Sequence, residues 1–288
     1  MAVPDCVWPL AAELGEGPVW SAAEGALWFV DIKGRSIHRY HPADPEGRSW
    51  HAPSPPGFLA PIAGGGWLAG LKSGLHTFDP ATGGFTALAA VEPHLPGNRL
   101  NDGCVDRQGR LWFGSMDDAE IDPTGVLYRL DAGGAVAACD AGYVITNGPA
   151  FSPDGRTAYH TDTLGRVIYA FDVDAAGGLS GKRLFAQIDR GYPDGPAVDA
   201  DGCVWTGLFG GWGLQRFAPS GALIGGINFP CANVTKPAFG GEDLKTLYAT
   251  TAWKGLSPAE RAAQPLVGGL FAVRVETPGL PQMEVRLG

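Results

Sequence analysis

Several patterns that mark common protein classes are missing from this 288-residue sequence. Charged residues make up only 18%, and 21 Lys and Arg stand against 30 Asp and Glu, which gives a formal charge of -9. Nucleic acid is bound chiefly through clustered Lys and Arg, and because no basic block occurs here, a nucleic-acid partner is not expected. The G-x-S-x-G elbow, the P-loop and the dinucleotide-binding fingerprint are also absent, which argues against serine-hydrolase, nucleotide and NAD functions.

Signals for secretion, membrane insertion and disulfide bonding are absent as well. Residues 1–5 have neither the basic start nor the apolar stretch of a signal peptide. The longest uncharged stretch, Pro53 to Leu71, carries four prolines and five glycines, too many for a membrane-spanning helix. The five cysteines are far apart and form no C-x-x-C pair, which predicts free thiols and no thiolate zinc site. We therefore expect a cytoplasmic protein with no membrane partner.

Glycine and proline, by contrast, are abundant, with 44 and 24 residues, and this excludes a helical bundle. A turn followed by a short β-rich run recurs six times, and the aligned residues are separated by 40, 44, 47, 46 and 43 positions. They are Trp28, Leu68, Trp112, Tyr159, Trp205 and Tyr248. A second run follows each one across a hairpin turn, so each repeat corresponds to one propeller blade.

The sequence therefore predicts an all-β fold, a six-bladed β-propeller in which residues 1–288 form a single domain. A two-sheet sandwich is the alternative, but sandwiches do not repeat their sequence at this period. The last blade needs a fourth strand, and we expect the N-terminal strand, Cys6 to Ala11, to complete it. One segment, Ser257 to Gln264, has a helical pattern. A closed propeller has no obvious need for a partner, so a monomer is expected.

Four repeats carry an acidic or amide residue at nearly the same place, 12, 11, 12 and 11 positions before the aligned residue. They are Glu16, Asn101, Asn147 and Asp194, and each motif includes a glycine just after. In a propeller this position lies at one end of the innermost strands, so all four side chains are expected to face the central channel. An all-oxygen cluster of charge about -2 suits a hard divalent cation. The alternative is that these dipeptides are ordinary turns.

Residues around this cluster have weaker signals. Arg99 lies two positions before Asn101, where it could hold substrate hydroxyls or an oxyanion, and its alternative role is a salt bridge to Asp102. The segments Phe58–Pro61 and Thr235–Pro237 occupy the corresponding place in the other two blades and would form walls of the channel. The six histidines show no ligand spacing, although His160 is on a strand that we expect to flank the channel.

Seven motifs spread over nearly the whole chain are similar to those of the senescence marker protein 30, gluconolactonase and regucalcin family. They are Leu14–Trp20, Leu27–Ile32, Arg99–Gly103, Gly109–Met116, Thr146–Pro149, Tyr192–Gly195 and Lys236–Gly241. Within that family the chain resembles the bacterial sugar-lactone lactonases of the xylonolactonase and arabinolactonase type. The resemblance implies a six-bladed propeller with a channel metal bound by Glu16, Asn147 and Asp194, and substrate contacts from Arg99 and Asn101. Some members carry a glutamate three residues after the methionine where this chain has Ala119, and Asp117, Asp118 or Glu120 could replace it.

We therefore expect a hydrolase of carboxylic esters, a metal-dependent lactonase that opens a pentono- or hexonolactone to the sugar acid. One divalent ion, Ca, Zn, Mn, Mg or Fe(II), would polarise the carbonyl, and the ion or Asp194 would activate a water. The oxyanion would be held with help from Arg99 or Asn101. The alternatives are a calcium-binding or regulatory propeller without hydrolase activity, and a metal-dependent phosphotriesterase or arylesterase.

Overall fold

The computed structural model describes residues 3–288 and contains six antiparallel sheets of four strands each. Blade 1 comprises β2 (Gly15–Ser21), β3 (Ala26–Asp31), β4 (Ser36–His41) and β5 (Asp44–His51), and blade 2 comprises β6 (Pro56–Pro61), β7 (Trp67–Leu71), β8 (Gly74–Asp79) and β9 (Gly84–Ala89). Blade 3 comprises β10 (Asn98–Val105), β11 (Leu111–Asp117), β12 (Gly125–Leu130) and β13 (Val136–Tyr143), and blade 4 comprises β14 (Thr146–Phe151), β15 (Thr157–Asp162), β16 (Val167–Val173) and β17 (Leu179–Gln187). Blade 5 comprises β18 (Tyr192–Val198), β19 (Val204–Phe209), β20 (Gly213–Phe217) and β21 (Leu223–Asn228), and blade 6 comprises β22 (Val234–Gly240), β23 (Thr246–Thr251), β24 (Leu270–Arg274) and β1 (Asp5–Trp8).

The six blades form a closed ring. The first strand of each blade contacts the first strands of both neighbours, and β2 of blade 1 contacts β22 of blade 6. The predicted six-bladed propeller is therefore confirmed. Since the blades follow one another in chain order, blade 3 and blade 6 lie on opposite sides of the central channel.

The N-terminal strand closes the last blade, as predicted. Strand β1 pairs antiparallel with β24, with Asp5 opposite Ala272 and Cys6 opposite Phe271. It ends earlier than the expected Ala11, because Leu10 N–H turns back to the Trp8 carbonyl and Ala11 has a left-handed φ of 57°. The chain then turns towards the start of β2.

A single short helix, α1 (Pro258–Ala263), lies between β23 and β24. Ser257 caps it, accepting a hydrogen bond from the Glu260 N–H while the Glu260 carboxylate accepts from the Ser257 N–H. The helix is slightly shorter than the predicted Ser257 to Gln264, since these two residues are its caps. Within residues 3–288, no helix is long and apolar enough to cross a membrane.

At two boundaries between blades, the aligned residue of the repeat packs one blade against the next. The Trp28 ring lies 4.8 Å from the ring of Trp67 in blade 2, and the Trp112 ring lies 5.6 Å from Phe151 in blade 4. Both Trp28 and Trp112 are fully buried. The same inter-blade contact recurs, because a repeated position in the sequence has a repeated place in the ring.

Every innermost strand has a break in register at the start of its pairing with the second strand. The six breaks fall between Glu16 and Val19, Pro56 and Phe58, Leu100 and Gly103, Asn147 and Ala150, Pro193 and Pro196, and Val234 and Pro237. A bulge of this kind re-aims side chains away from the regular alternation of a strand. It therefore accounts for polar residues that face the channel at the same point in several blades.

Two of these bulges depend on glycine. Gly17 and Gly148 follow Glu16 and Asn147 and have left-handed φ angles of 56° and 85°, a region that side-chain-bearing residues avoid. A Cβ at Gly148 would also lie 2.9 Å from the Pro196 ring of the next blade. The Gly-Pro pairs of the sequence thus fix the backbone beside the channel residues.

The C-terminal segment crosses the opposite end of the channel. Its backbone bonds to the far ends of several blades, with the Val285 N–H donating to the Pro61 carbonyl at 2.8 Å and the Ala200 N–H to the Pro278 carbonyl at 2.8 Å. Residues 280–283 line a largely apolar cavity of about 320 Å³ at that end. The sequence motifs did not indicate this segment.

Candidate active site

The four predicted channel residues lie together at one end of the ring. Glu16, Asn101, Asn147 and Asp194 stand near the start of β2, β10, β14 and β18, and all are at least nine-tenths buried. Their burial agrees with side chains turned into the channel rather than towards solvent. The turns between the second and third strands of each blade surround the same end and form the mouth of the channel.

A chain of hydrogen bonds joins Arg99, Asn101 and Asn147. The Arg99 Nη1 donates to the Asn101 Oδ1 at 2.5 Å, and the Asn101 Nδ2 donates to the Asn147 Oδ1 at 3.1 Å and to the Thr146 carbonyl at 2.6 Å. The Asn147 Nδ2 donates in turn to the Thr163 hydroxyl at 2.9 Å. The Oδ1 of Asn147 is thereby fixed in orientation.

The partner of Arg99 is Asp118, and the alternative pairing with Asp102 is wrong. The Asp118 carboxylate accepts from the Arg99 Nε at 2.9 Å, from the Lys33 Nζ at 2.8 Å and from the Lys72 Nζ at 3.3 Å. Burial acts to raise the pKa of Asp118, but the hydrogen bond from Lys33 and the charges of all three cations outweigh it and lower the pKa to about 2. Asp118 therefore stays ionised and holds the almost fully buried guanidinium of Arg99.

Asp102, one residue after Asn101, also enters the channel because of the bulge in β10. Its carboxylate accepts from the Lys236 Nζ at 2.5 Å and from the N–H groups of Gly103 and Gly148, each at 2.7 Å. Burial disfavours the ammonium of Lys236, but the adjacent Asp102 outweighs this effect and raises the pKa of Lys236. The ion pair joins blades 3 and 6 across the channel, and the hydrogen bond from Gly148 adds blade 4.

The sequence placed Lys236 in a wall of the channel but did not indicate its ion pair, although a signal existed. Lys236 lies 12 positions before Tyr248, the offset that Glu16 has from Trp28. A search for carboxylates and amides at this offset passes over a cation. The neighbouring Thr235 agrees with the expected wall, since its hydroxyl donates to the Gly15 carbonyl of blade 1 at 2.6 Å.

The carboxylates of Glu16 and Asp194 suit a divalent cation. The two carboxylates lie close enough to interact directly. Burial is the largest influence and raises the pKa of both groups. The charge of Asp194 raises the pKa of Glu16 further, and the charge of Asp102 raises the pKa of both. Lys236 is paired with Asp102, and among the described residues no cation forms an ion pair with Glu16 or Asp194. Two carboxylates and the oriented amide oxygen of Asn147 are hard oxygen donors. No three His, Cys, Asp or Glu side chains group as metal ligands within residues 3–288. Glu16, Asn147 and Asp194 do not form such a group, because the third donor is an asparagine.

Asp117 and Glu120 have different surroundings. The Asp117 carboxylate accepts hydrogen bonds from the N–H groups of Ala119, Ile121 and Asp122, so it organises the loop after β11. Glu120 forms an ion pair with Lys254, on the segment that follows β23. Of the residues that could replace a glutamate at Ala119, Glu120 is thus the one paired with blade 6, whereas Asp118 is paired with Lys33 of blade 1 and Lys72 of blade 2.

His160 lies outside this constellation. It is fully buried on β15, the second strand of blade 4, where its ring meets that of Tyr143 edge to face at 4.9 Å. Burial lowers its pKa to about 3, so the ring is neutral. The second strand does not present this side chain to the four channel residues, and His160 is a packing residue.

Comparison with known proteins gives consistent matches. The family model for the SMP-30/gluconolactonase/LRE-like region matches residues 14–253. The chain is 36% identical over 277 residues to a 6-deoxy-6-sulfogluconolactonase from Pseudomonas putida, covering 95% of each chain. It is 35% identical over 278 residues to an L-arabinolactonase from Azospirillum brasilense, covering 93% of this chain and 90% of that protein. Among solved structures, a calcium-binding protein, regucalcin, from Agrobacterium tumefaciens superposes with a TM-score of 0.95 at 32% identity, covering 99% of this chain and 98% of that one.

Proposed function

Because the chain belongs to the SMP-30/gluconolactonase/LRE-like family, we propose that it is a lactonase, a hydrolase that opens a sugar lactone to the sugar acid. The observation that carries the proposal is the buried oxygen cluster of Glu16, Asn147 and Asp194 with the guanidinium of Arg99 beside it. Two of the relatives are named lactonases, which supports an ester-bond hydrolase.

We propose that Glu16, Asn147 and Asp194 would hold one divalent metal ion. Their oxygen donors accommodate Ca, Mg or Mn and tolerate Zn or Fe(II). The regucalcin from Agrobacterium tumefaciens is described as calcium-binding, which supports a divalent ion in this family without fixing its identity here. When bound, the ion would act as a Lewis acid towards the lactone carbonyl.

The protein residues account for the rest of the reaction. Asp194 accepts a proton from the attacking water, whose oxygen bonds to the carbonyl carbon. Among the described residues the Nη2 of Arg99 makes no hydrogen bond, whereas Nε and Nη1 are held by Asp118 and Asn101, so Nη2 can donate to the developing oxyanion. The ring C–O bond then breaks, and the proton returns from Asp194 to the ring oxygen.

The substrate class that this site favours is a polyhydroxylated lactone. The mouth contains both cations and carboxylates. Asp118 forms ion pairs with Lys33, Lys72 and Arg99, and Glu120 forms one with Lys254. Such groups supply both donors and acceptors to hydroxyls. We therefore propose a pentono- or hexonolactone as substrate, and Asn101 as a further contact through its carbonyl oxygen.

The test is a panel of aldonolactones with protein that has been treated with chelator and then given Ca, Mg, Mn, Zn or Fe(II). Acid release should be restored by at least one ion, and Asp194→Ala should abolish it while leaving the protein folded. If no lactone is hydrolysed with any ion, the proposal is wrong. If Asp194→Ala mainly lowers thermal stability in the presence of the ion, the metal is structural and a calcium-binding role is favoured.

A further inference from the structure

The ion pair of Lys254 and Glu120 spans the mouth of the channel from opposite blades. Lys254 follows β23 of blade 6, and Glu120 lies in the loop between β11 and β12 of blade 3. In a ring of six blades these two are diametrically opposed. A contact between them must pass over the channel, not around its rim.

The charges of the pair act on the residues beneath it. The ammonium of Lys254 is among the charges that lower the pKa of Asp194, and the carboxylate of Glu120 is among those that raise the pKa of Arg99. Burial is the largest influence on both of those groups and acts in the opposite direction. The pair therefore lies within electrostatic range of both the proposed base and the proposed oxyanion contact.

The backbone of Lys254 is fixed while its side chain is accessible. Its N–H donates to the Glu13 carbonyl at 2.9 Å, and its carbonyl accepts from the Asn233 Nδ2 at 3.1 Å. The preceding residue, Trp253, is covered by the guanidinium of Arg261 at 3.8 Å from the ring centroid. The side chains of Lys254 and Glu120 are 27% and 31% exposed, so a small molecule that enters the mouth meets them.

We propose that Lys254 is a specificity-determining residue that donates a hydrogen bond to a ring hydroxyl of the bound lactone, and that Glu120 positions its ammonium over the site. This inference rests on the proposed lactonase function. Arg99 and Asp194 act on the carbonyl side, whereas Lys254 reaches the lactone from the solvent side. A lactone without hydroxyls offers Lys254 no acceptor apart from its ester oxygens, so the contribution of Lys254 should depend on the substrate.

The experiment compares Lys254→Met, Lys254→Gln and Glu120→Gln with the wild-type protein, all loaded with the ion that supports activity. The substrates are a pentonolactone and γ-butyrolactone, which has the same five-membered ring without hydroxyls. Arg274→Met is the matched control, because Arg274 forms an ion pair with Asp243 on the exposed outer part of blade 6. Thermal melting establishes that each variant is folded.

Lys254→Met should raise KM for the pentonolactone so that kcat/KM falls about 10- to 100-fold, the range for loss of a charged hydrogen-bond donor. For γ-butyrolactone the change should stay within about 3-fold. Glu120→Gln should have a smaller effect in the same direction, and Arg274→Met should have none. If Lys254→Met lowers kcat/KM equally for both lactones, or for neither, this inference is wrong and the lactonase proposal is unaffected. If the wild-type protein hydrolyses no aldonolactone of the panel with any ion, the lactonase proposal fails and this inference with it.

Discussion

Replacing Lys236 with methionine should be among the most destabilising single substitutions near the site. The change keeps the length of the side chain and removes only the ammonium. Lys236 and Asp102 are 9% and 1% exposed, and the Nζ lies 2.5 Å from the Asp102 Oδ1. After the substitution, Asp102 remains as a buried charge without a cation, and Glu16 loses a positive charge that lowers its pKa.

The expected magnitude follows from what Asp102 retains. Breaking a buried ion pair by removing one partner costs about 3–5 kcal/mol. Asp102 keeps its two hydrogen bonds from the N–H groups of Gly103 and Gly148, so we expect the lower part of that range, about 3 kcal/mol. The double variant Lys236→Met with Asp102→Asn removes the stranded charge and should recover more than half of the loss.

The measurement is urea denaturation in the presence of chelator, because an ion bound to the folded state would add its own stabilisation. Arg183→Met is the control, since its ion pair with Asp172 is about half exposed on both sides and should contribute less than about 1 kcal/mol. Two results would refute the reasoning. One is a loss for Lys236→Met no larger than that for Arg183→Met, and the other is a double variant no more stable than the single one.

Three further predictions concern the groups around the oxyanion and the ion. In protein without metal, Asp194→Asn removes repulsion with Glu16 and should raise the free energy of unfolding by about 1 kcal/mol or more. Added ion should no longer raise the melting temperature of this variant. A variant whose melting temperature responds to ion as that of the wild type does would contradict this. Arg99→Lys should lower kcat/KM about 100-fold, because one ammonium cannot reproduce the guanidinium fork that bonds Asp118, Asn101 and substrate. A change below about 3-fold in the lactonase assay would count against Arg99 as the oxyanion contact. The lowered pKa of Asp118, about 2, means that its contribution to stability is complete above its unfolded pKa of about 3.9 and is lost as the pH falls through about 2. In melting experiments the advantage of the wild type over Asp118→Asn should therefore shrink from pH 5 to pH 2, and an advantage that grows on acidification would be inconsistent with it.

The blade repeat could be predicted from the sequence because it is local. The aligned aromatic residue, its hairpin turn and the polar residue 11 or 12 positions earlier all lie within one blade. A constant offset within each blade becomes a constant place in the ring, since the innermost strand of every blade contacts the innermost strands of both neighbours. For this reason Glu16, Asn101, Asn147 and Asp194 could be assigned to one end of the channel without any knowledge of distances.

The pairings between blades could not be predicted in the same way. Lys236 and Asp102 are 134 positions apart, as are Lys254 and Glu120. No local pattern says which cation in one blade meets which carboxylate in another. The choice of Asp118 over Asp102 as the partner of Arg99 depends on the bulge in β10, which turns Asp102 inward towards Lys236. A salt bridge assigned by proximity in sequence therefore failed where the backbone departs from regular alternation.

The charge of the channel explains why the cluster needs a cation although a lysine lies within it. Counting residues at the repeated offset gives two carboxylates, Glu16 and Asp194, and a charge of about -2. The structure adds Asp102 and Lys236, which cancel, so the sum is unchanged. Because the ammonium is held at 2.5 Å by Asp102, it forms no ion pair with Glu16 or Asp194, although its charge acts to lower the pKa of Glu16. The unbalanced charge is thus left on Glu16 and Asp194, the two carboxylates that we propose as ligands of the ion together with the amide oxygen of Asn147.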